Sequence, residues 1–422
     1  MSKRLVFLSK KKVKRNQRNL VEPGGGMSGH HKRDWETFPM HKIKRVDQPT
    51  TLIKVDEVQR VREREAGFCK AAAGDYGAVL QREFMRFVPK HPLSGALSRM
   101  RNAMRPLVDG MVAAQKAPIP STPIALSRHI KEAAYFLRAD AVGICELPRY
   151  AVYSHKFDFT KPNTGEVPIE LNHKYAIGIL IDQDYRTSSA YTGSDWISNA
   201  MSMMSYATSG FIAIILAEYI RRLGYPAKAH YAPFYDINVP PVLLLAGLGE
   251  MSRIGDTVLH PFLGPRFKAA VVTTDLPLLP DKPVDFGLQD FCNKCKKCAR
   301  ECPSGAISDG GKVMYNGYEK WPLDVKKCTG MRVGNQRGSG CGTCIKVCPW
   351  SKPYTPFHRA VGWAVRHSRM ARSLAVWGDD LLGYGKQDES RKWWYDLEDV
   401  EGDGILRIPA NKKSEFEERE AH

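Results

Sequence analysis

Phe291-Cys-Asn-Lys-Cys-Lys-Lys-Cys-Ala-Arg-Glu-Cys-Pro303 and, after a glycine-rich interval, Cys341-Gly-Thr-Cys-Ile-Lys-Val-Cys-Pro349 decide how this chain is read. With Cys328 they hold eight of the ten cysteines, in two groups of four that each end in Cys-Pro. That is the spacing of two cubane iron–sulfur clusters, in which three close thiolates wrap one cluster and the Cys before Pro turns to the other. The expected sets are Cys292, Cys295, Cys298 and Cys348 on one cluster, and Cys302, Cys328, Cys341 and Cys344 on the second. Gly330, Gly334, Gly338 and Gly340 make the interval a flexible loop that can bring Cys328 round. Zinc normally uses two separated Cys-x2-Cys pairs, which this order fits poorly. Disulfides would imply an exported chain, and no export signal is seen.

Working outward, 422 residues give room for two or three domains, or for one large α/β core with additions. With 43% hydrophobic and 26% charged residues, the composition is that of an ordinary globular protein. No apolar run reaches about 18 residues, so no membrane span is expected. The longest apolar segment, Ser209–Leu216, leads into the charged Glu218–Arg222 and reads as buried helix. The net charge of +18 is concentrated at the front: residues 1–46 hold 13 Lys/Arg against three Asp/Glu. This stretch, with Lys10-Lys11-Lys12 and Gly24-Gly25-Gly26, reads as a basic, flexible arm, suited to nucleic acid, an acidic protein or plain solvation. Lys3-Arg4 before Phe7 faintly resembles a twin-arginine signal but lacks its apolar segment, so a cytoplasmic location is expected.

Residues 47–120 read as a helical region, with helices expected over Val55–Glu65 and Tyr76–Val88. Cys69 reads as a small buried thiol. From Ser121 the texture changes. Helices are expected over Ser127–Leu137 and over Ile197–Leu223, the latter stopped by Gly224 before Pro226. Strands are expected over Ala141–Cys145, Tyr175–Asp182, Ala227–Tyr231 and Ala269–Thr273, with a helix and glycine-rich turn across Val242–Gly255. This alternation implies an α/β sandwich core over 121–287, with the cluster module, 288–355, packed on its end. Strand order does not follow from the sequence. The extension 356–422 opens with a basic helix around Arg359–Arg372 and contains Trp377, Trp393, Trp394 and Tyr395.

Four motifs lead without a break into Phe291: Ala246-Gly-Leu-Gly-Glu-Met-Ser-Arg-Ile-Gly255, His260-Pro-Phe-Leu-Gly-Pro-Arg-Phe-Lys268, Thr274-Asp-Leu-Pro277 and Lys282-Pro-Val-Asp-Phe-Gly287. In this order they resemble the reductive dehalogenases, corrinoid iron–sulfur enzymes that remove halide from organohalides, over roughly residues 120–355. A weaker likeness is to epoxyqueuosine reductase, a tRNA-modifying relative. The resemblance implies a nitroreductase-like core joined to a bacterial-ferredoxin-like module of two [4Fe–4S] clusters. It also implies a cobalamin with its lower base detached, and no Asp-x-His-x-x-Gly element that would supply a cobalt ligand is present.

On the same resemblance, the turn with Gly247, Gly249, Glu250, Ser252 and Gly255 is the expected wall of the cofactor cavity. Tyr206, on the helix before Arg221-Arg222-Leu223-Gly224-Tyr225, is the expected proton donor, where epoxyqueuosine reductase uses a carboxylate. Arg266 is the expected cation beside it, Arg332 a second cation, and Asn238 an orienting group. Some 70 residues follow the clusters, too few for a fused reductase, so a separate ferredoxin- or flavodoxin-type donor is implied for a cytosolic, leaderless enzyme. The expected substrate is a halogenated phenol or other aromatic, with no nucleic-acid partner and with an oligomer allowed. The alternatives are a tRNA-directed reductase, which the basic charge would favour, and a protein that only transfers electrons.

Overall fold

The computed structural model describes residues 36–410, except 160–161, 163–165, 192, 194 and 335–339. Its centre is a four-stranded sheet of β1 (Ala141–Glu146), β2 (Tyr175–Asp182), β3 (Ala227–His230) and β4 (Phe267–Thr274), ordered β1-β2-β4-β3. Every pairing is antiparallel. The expected strands are present, with β4 starting two residues early at Phe267.

Successive strand residues face opposite sides, so each strand serves two cores. Ile144, Ile177, Ile179, Ala270 and Val272 face one core, and Cys145, Ala176, Leu180, Ala269 and Val271 face the other. With both faces covered, the strands read as unbroken apolar runs.

One face is covered by α2 (Pro123–Phe136) and by the 26-residue α3 (Ile197–Arg222), on which α1 (Pro92–Ala103) packs. α2 starts with Pro123 at its first position, and Thr122 Oγ1 accepts a hydrogen bond from Ala125 N at 3.4 Å. α3 stops where Gly224 takes a left-handed conformation at φ 86°. By length and composition α3 would cross a membrane. Here it lies along β4, burying Ile212, Leu216 and Ile220. The other face is covered by α4 (Val239–Leu245) and the turn after it. Gly143 and Gly178 are register partners, and a Cβ on either would collide with Ala246 or Leu248. The sheet is hollowed there to receive that turn.

Tertiary contacts override local pattern in three places. The helix expected over Val55–Glu65 is instead two single 3-10 turns, Val55–Glu57 and Glu63–Glu65. Lys54 N bonds to Gly317 O at 2.8 Å and Gln59 N to Asn316 Oδ1 at 2.9 Å, which holds the segment extended on a neighbouring hairpin. The single basic helix expected around Arg359–Arg372 is two, Pro356–His367 and Arg369–Leu381, divided where Ser368 caps the second through Ala371 N at 3.3 Å. The flexible arm expected over 1–46 is built into the fold at its end: Phe38, Met40 and Ile43 are buried, and Lys44–Arg45 pairs with Val284–Asp285. The remainder of that arm lies outside the described residues. Of the aromatic tail, Trp394 is buried beside Trp196, while Trp377, Trp393 and Tyr395 are exposed.

One buried acid makes stability depend on pH. The Glu63 carboxylate is 5% exposed and accepts a hydrogen bond from Phe157 N at 2.8 Å. Burial raises its pKa to about 7, although Lys156 and that hydrogen bond pull the other way. A raised carboxyl pKa means that Glu63 favours the fold while protonated, and that this contribution is lost as pH climbs through about 7. Denaturant titrations at pH 5 and pH 8 should therefore differ by on the order of 2 kcal/mol more in the wild type than in Glu63→Gln.

Candidate active site and cluster module

The module is held by α5 (Leu288–Cys295), α6 (Lys297–Arg300), α7 (Val325–Gly334) and α8 (Thr343–Lys346). Cys292 and Cys295 sit on α5, which ends at Lys296 with φ 50°. The chain turns there and presents Cys298 on α6. Cys328 is on α7, whose first turn is capped by Asp324 Oδ1 accepting from Lys327 N at 2.9 Å. Phe291, Cys292, Trp321, Cys348 and Trp350 share one apolar cluster with Met40 and Ile43 from the N-terminal segment.

The thiols gather as two groups. Burial raises the pKa of Cys292, and the neighbouring Cys298 and Cys295 raise it further; Cys348 is raised by burial and by Cys292, Cys298 and Cys295. Cys328 is raised by burial and then by Cys341 and Cys302, and Cys344 by burial and by Cys341, Cys328, Cys298 and Cys302. Cys298 and Cys344 are thus where the groups adjoin. Like charges crowded in a buried space are stable only with cationic metal among them. Among the described residues no three Cys, His, Asp or Glu side chains converge on a single-ion site.

The first four thiols line one cavity with Arg253 and Trp350. Arg253 Nη2 and Trp350 Nε1 are buried donors without a partner among the described residues. An acceptor-bearing cluster would satisfy them. The rest of the Arg253 guanidinium is held by Cys292 O, Ser308 O and Gly310 O, each at 2.9 Å.

The expected cofactor wall packs closely on the chain along its Cβ side. At Gly247 (φ 65°) a Cβ would collide with Arg45 and the Lys282 carbonyl, at Gly249 with the Leu259 carbonyl, and at Gly255 (φ 95°) with Leu323. Glu250 is a buried anchor, accepting from Thr50 Oγ1 at 2.6 Å and Phe286 N at 2.7 Å. Ser252 Oγ donates to Thr257 O at 2.7 Å, closing the turn. Ser252 also lines the cavity that holds Cys292, Cys295, Cys298 and Cys348.

Tyr206 projects from α3 toward β4, where Lys268 Nζ lies 5.3 Å from its ring centroid. The Tyr206 hydroxyl makes no hydrogen bond to a described residue, and neither does the Lys268 ammonium. Lys268 shares a strand face with Ala270 and Val272, which directs it at α3. Arg266, the expected cation, is committed elsewhere. It grips Asp182 with two hydrogen bonds of 2.9 and 3.1 Å, and it donates to Gln183 O at 2.8 Å, Ser351 Oγ at 3.3 Å and Lys352 O at 3.4 Å. Lys268, two residues after Arg266, is the cation that stands beside Tyr206. The usable signal was a single charge, Lys268, inside an otherwise uncharged strand.

Tyr235, also missed, donates from its hydroxyl to Ala269 O at 2.6 Å, next to Lys268. Asn238 instead starts α4 as its N-cap residue, with its backbone N bonded to Ala151 O at 2.6 Å. Arg332 stands over the Phe68 ring at 4.3 Å and beside Cys328, whose thiol it makes more acidic. A separate groove of about 770 Å³ lies between the two C-terminal helices and the Phe262 turn, behind Trp350 and Phe291. Neither Tyr206 nor Lys268 lines it.

Comparison with known proteins agrees with this geometry. Residues 291–351 match the family described as "4Fe-4S double cluster binding domain". The tetrachloroethene reductive dehalogenase of Sulfurospirillum multivorans is 32% identical over 315 residues, covering 66% of this chain and 61% of that protein. The catabolic reductive dehalogenase NpRdhA in complex with 3-bromo-4-hydroxybenzoic acid is 44% identical, with a TM-score of 0.84, over 88% of this chain and 53% of that one. A reductive dehalogenase structure described as suggesting a mechanism for B12-dependent dehalogenation is also 44% identical, with a TM-score of 0.84, over 89% and 53%. The chain therefore spans about half the length of these solved relatives and about three fifths of the curated one.

Two outcomes follow from the site. Arg266→Gln leaves the partly exposed Asp182 without its cation and should cost about 1–3 kcal/mol of unfolding free energy. The double variant with Asp182→Asn should cost less than the sum of the two single changes. Cys348→Ser and Cys328→Ser should each remove roughly half of the protein-bound iron measured after anaerobic purification, because they belong to different thiol groups.

Proposed function

We propose that this chain, which is similar to reductive dehalogenases over 66–88% of its length, replaces a carbon–halogen bond of an organohalide by a carbon–hydrogen bond. The balance is R–X + 2 e⁻ + H⁺ → R–H + X⁻, so the site must deliver two electrons and one proton to the same carbon. One observation carries the reading: Lys268 and Arg266 are two residues apart at the start of β4, the first beside Tyr206 and the second bonded to the segment just after Cys348. A proton source and an electron source are joined by a single rigid strand end.

The assigned roles are these. Tyr206 Oη gives its proton to the carbon. Lys268 then stabilises the phenolate left behind, because a phenol is a weak donor near neutral pH unless a cation favours its anion. Cys292, Cys295, Cys298 and Cys348 hold one [4Fe–4S] cluster, and Cys302, Cys328, Cys341 and Cys344 hold the second. A cobalamin, the cofactor named for the B12-dependent relative, supplies when bound a metal centre reducing enough to attack the carbon–halogen bond. Arg332, on the side of the second cluster, is assigned to that cluster's surroundings.

A halogenated phenol or related aromatic acid is the proposed substrate class, supported by the bromohydroxybenzoate bound to the catabolic relative. Lys268 would also attract such an anion. The proposed electron donor is a separate ferredoxin- or flavodoxin-type protein. For activity, we expect Tyr206→Phe to lower halide release from a halophenol, with a low-potential reductant, by about 10²-fold or more while iron and corrinoid contents stay unchanged. Lys268→Gln should also slow release, whereas near-normal turnover by Tyr206→Phe would show that another group is the acid.

A further inference from the structure

Arg101 is a buried cation that pairs with no carboxylate among the described residues. It lies near the end of α1 and is 8% exposed. Its guanidinium meets only neutral groups: Nη1 points at Met203 Sδ (3.1 Å), and Nη2 at Ser98 Oγ (3.1 Å) and Asn102 Oδ1 (3.4 Å). Nε is buried with no partner among the described residues. A guanidinium taken out of water without a carboxylate is costly, and proteins seldom keep one unless its charge is used.

Its position shows where that charge acts. Met203 and Tyr206 are three residues apart on α3 and so share one face of that helix. The Arg101 carbonyl accepts from Tyr231 Oη at 2.9 Å, which fixes α1 against the segment that carries Tyr235. The aromatic hydroxyls acting on the Arg101 charge are, in order of strength, those of Tyr206, Tyr231 and Tyr235. The charged and titratable groups around Tyr206 are therefore Arg101 from α1, Lys268 from β4, and Tyr231 and Tyr235 after β3. Arg105 stands further along, over Phe234. No carboxylate of a described residue pairs with Arg101 or Lys268.

We infer that Arg101 is a positioning residue for the Tyr206 acid: from the α1 side its guanidinium supports the negative charge that the phenol acquires on giving up its proton. The inference deepens the assignment of Tyr206 as proton donor and rests on it. In the step itself the O–H bond of Tyr206 breaks, its proton forms the new C–H bond, and the electron pair stays on Oη. Solvent water returns the proton before the next turnover.

The test reads Tyr206 directly and needs no turnover. Phenolate absorbance is followed against pH in the cluster-containing protein, and subtracting the matching Tyr206→Phe trace isolates the Tyr206 ionisation. In Arg101→Gln and Arg101→Met, Tyr206 should ionise at a pH about one unit or more higher than in the wild type, and Arg101→Lys should restore most of that difference. Two neutral variants are used so that a folding failure of one leaves the other to decide, with thermal unfolding as the check. If Tyr206 ionises at the wild-type pH in a folded neutral variant, or if the neutral variants only raise thermal stability, Arg101 is a packing residue and the inference falls. Full dehalogenation by Tyr206→Phe would overturn the donor assignment instead, and that outcome is separate from the titration.

Discussion

The structure depends on one buried ion pair. Arg266 closes on Asp182 at the sheet end of β2 and β4, and its remaining donors reach Ser351 and Lys352 beyond Cys348. Asp182 is held in a setting where burial pushes its carboxyl up to about 6 despite the arginine. Neither member is stable there without the other. Gly264 adds a second bolt, since its Cα sits so close to Trp350 O and Ser351 N that no side chain fits. Through these contacts the sheet and the cysteine module share a fixed orientation, and Lys268, one step further along β4, inherits it.

This constraint explains how the two halves cooperate. The core orders a tyrosine on a helix and a lysine on a strand, groups that can move a proton but carry no electrons. The module orders thiols, which with iron can move electrons but not place a proton at carbon. Each half is ordinary by itself. Their union at β4 makes dehalogenation a more economical proposal than electron transfer alone.

Much of this was legible before any coordinates. The cysteine order announces the two thiol groups because iron–sulfur ligation is written in local spacing. The strands over 141–145 and 175–182 and the long helix ending before Gly224 are equally plain, because their apolar runs are unbroken and their stops are marked by glycine. The antiparallel order was not legible, since alternating helices and strands ordinarily favour parallel sheets. Nor was the choice between Arg266 and Lys268, which depends on which of two cations finds a carboxylate. Asp182 lies 84 residues from Arg266, and no local pattern predicts that meeting. The glycines of 247–255 are ambiguous for a related reason: a close backbone approach looks alike in sequence whether a ligand or the chain itself approaches.

The uneven burial of the eight thiols has its own consequence. Cys292 and Cys348 are closed off in the apolar cluster around Trp321 and Trp350, whereas the other six, Cys295 and Cys298 of the same group among them, keep some contact with solvent. In the proposed relay the two groups meet where Cys298 and Cys344 adjoin, and only Cys292 and Cys348 lie wholly inside the protein. Charge that reaches those two thiolates has left the solvent-facing side of the module behind.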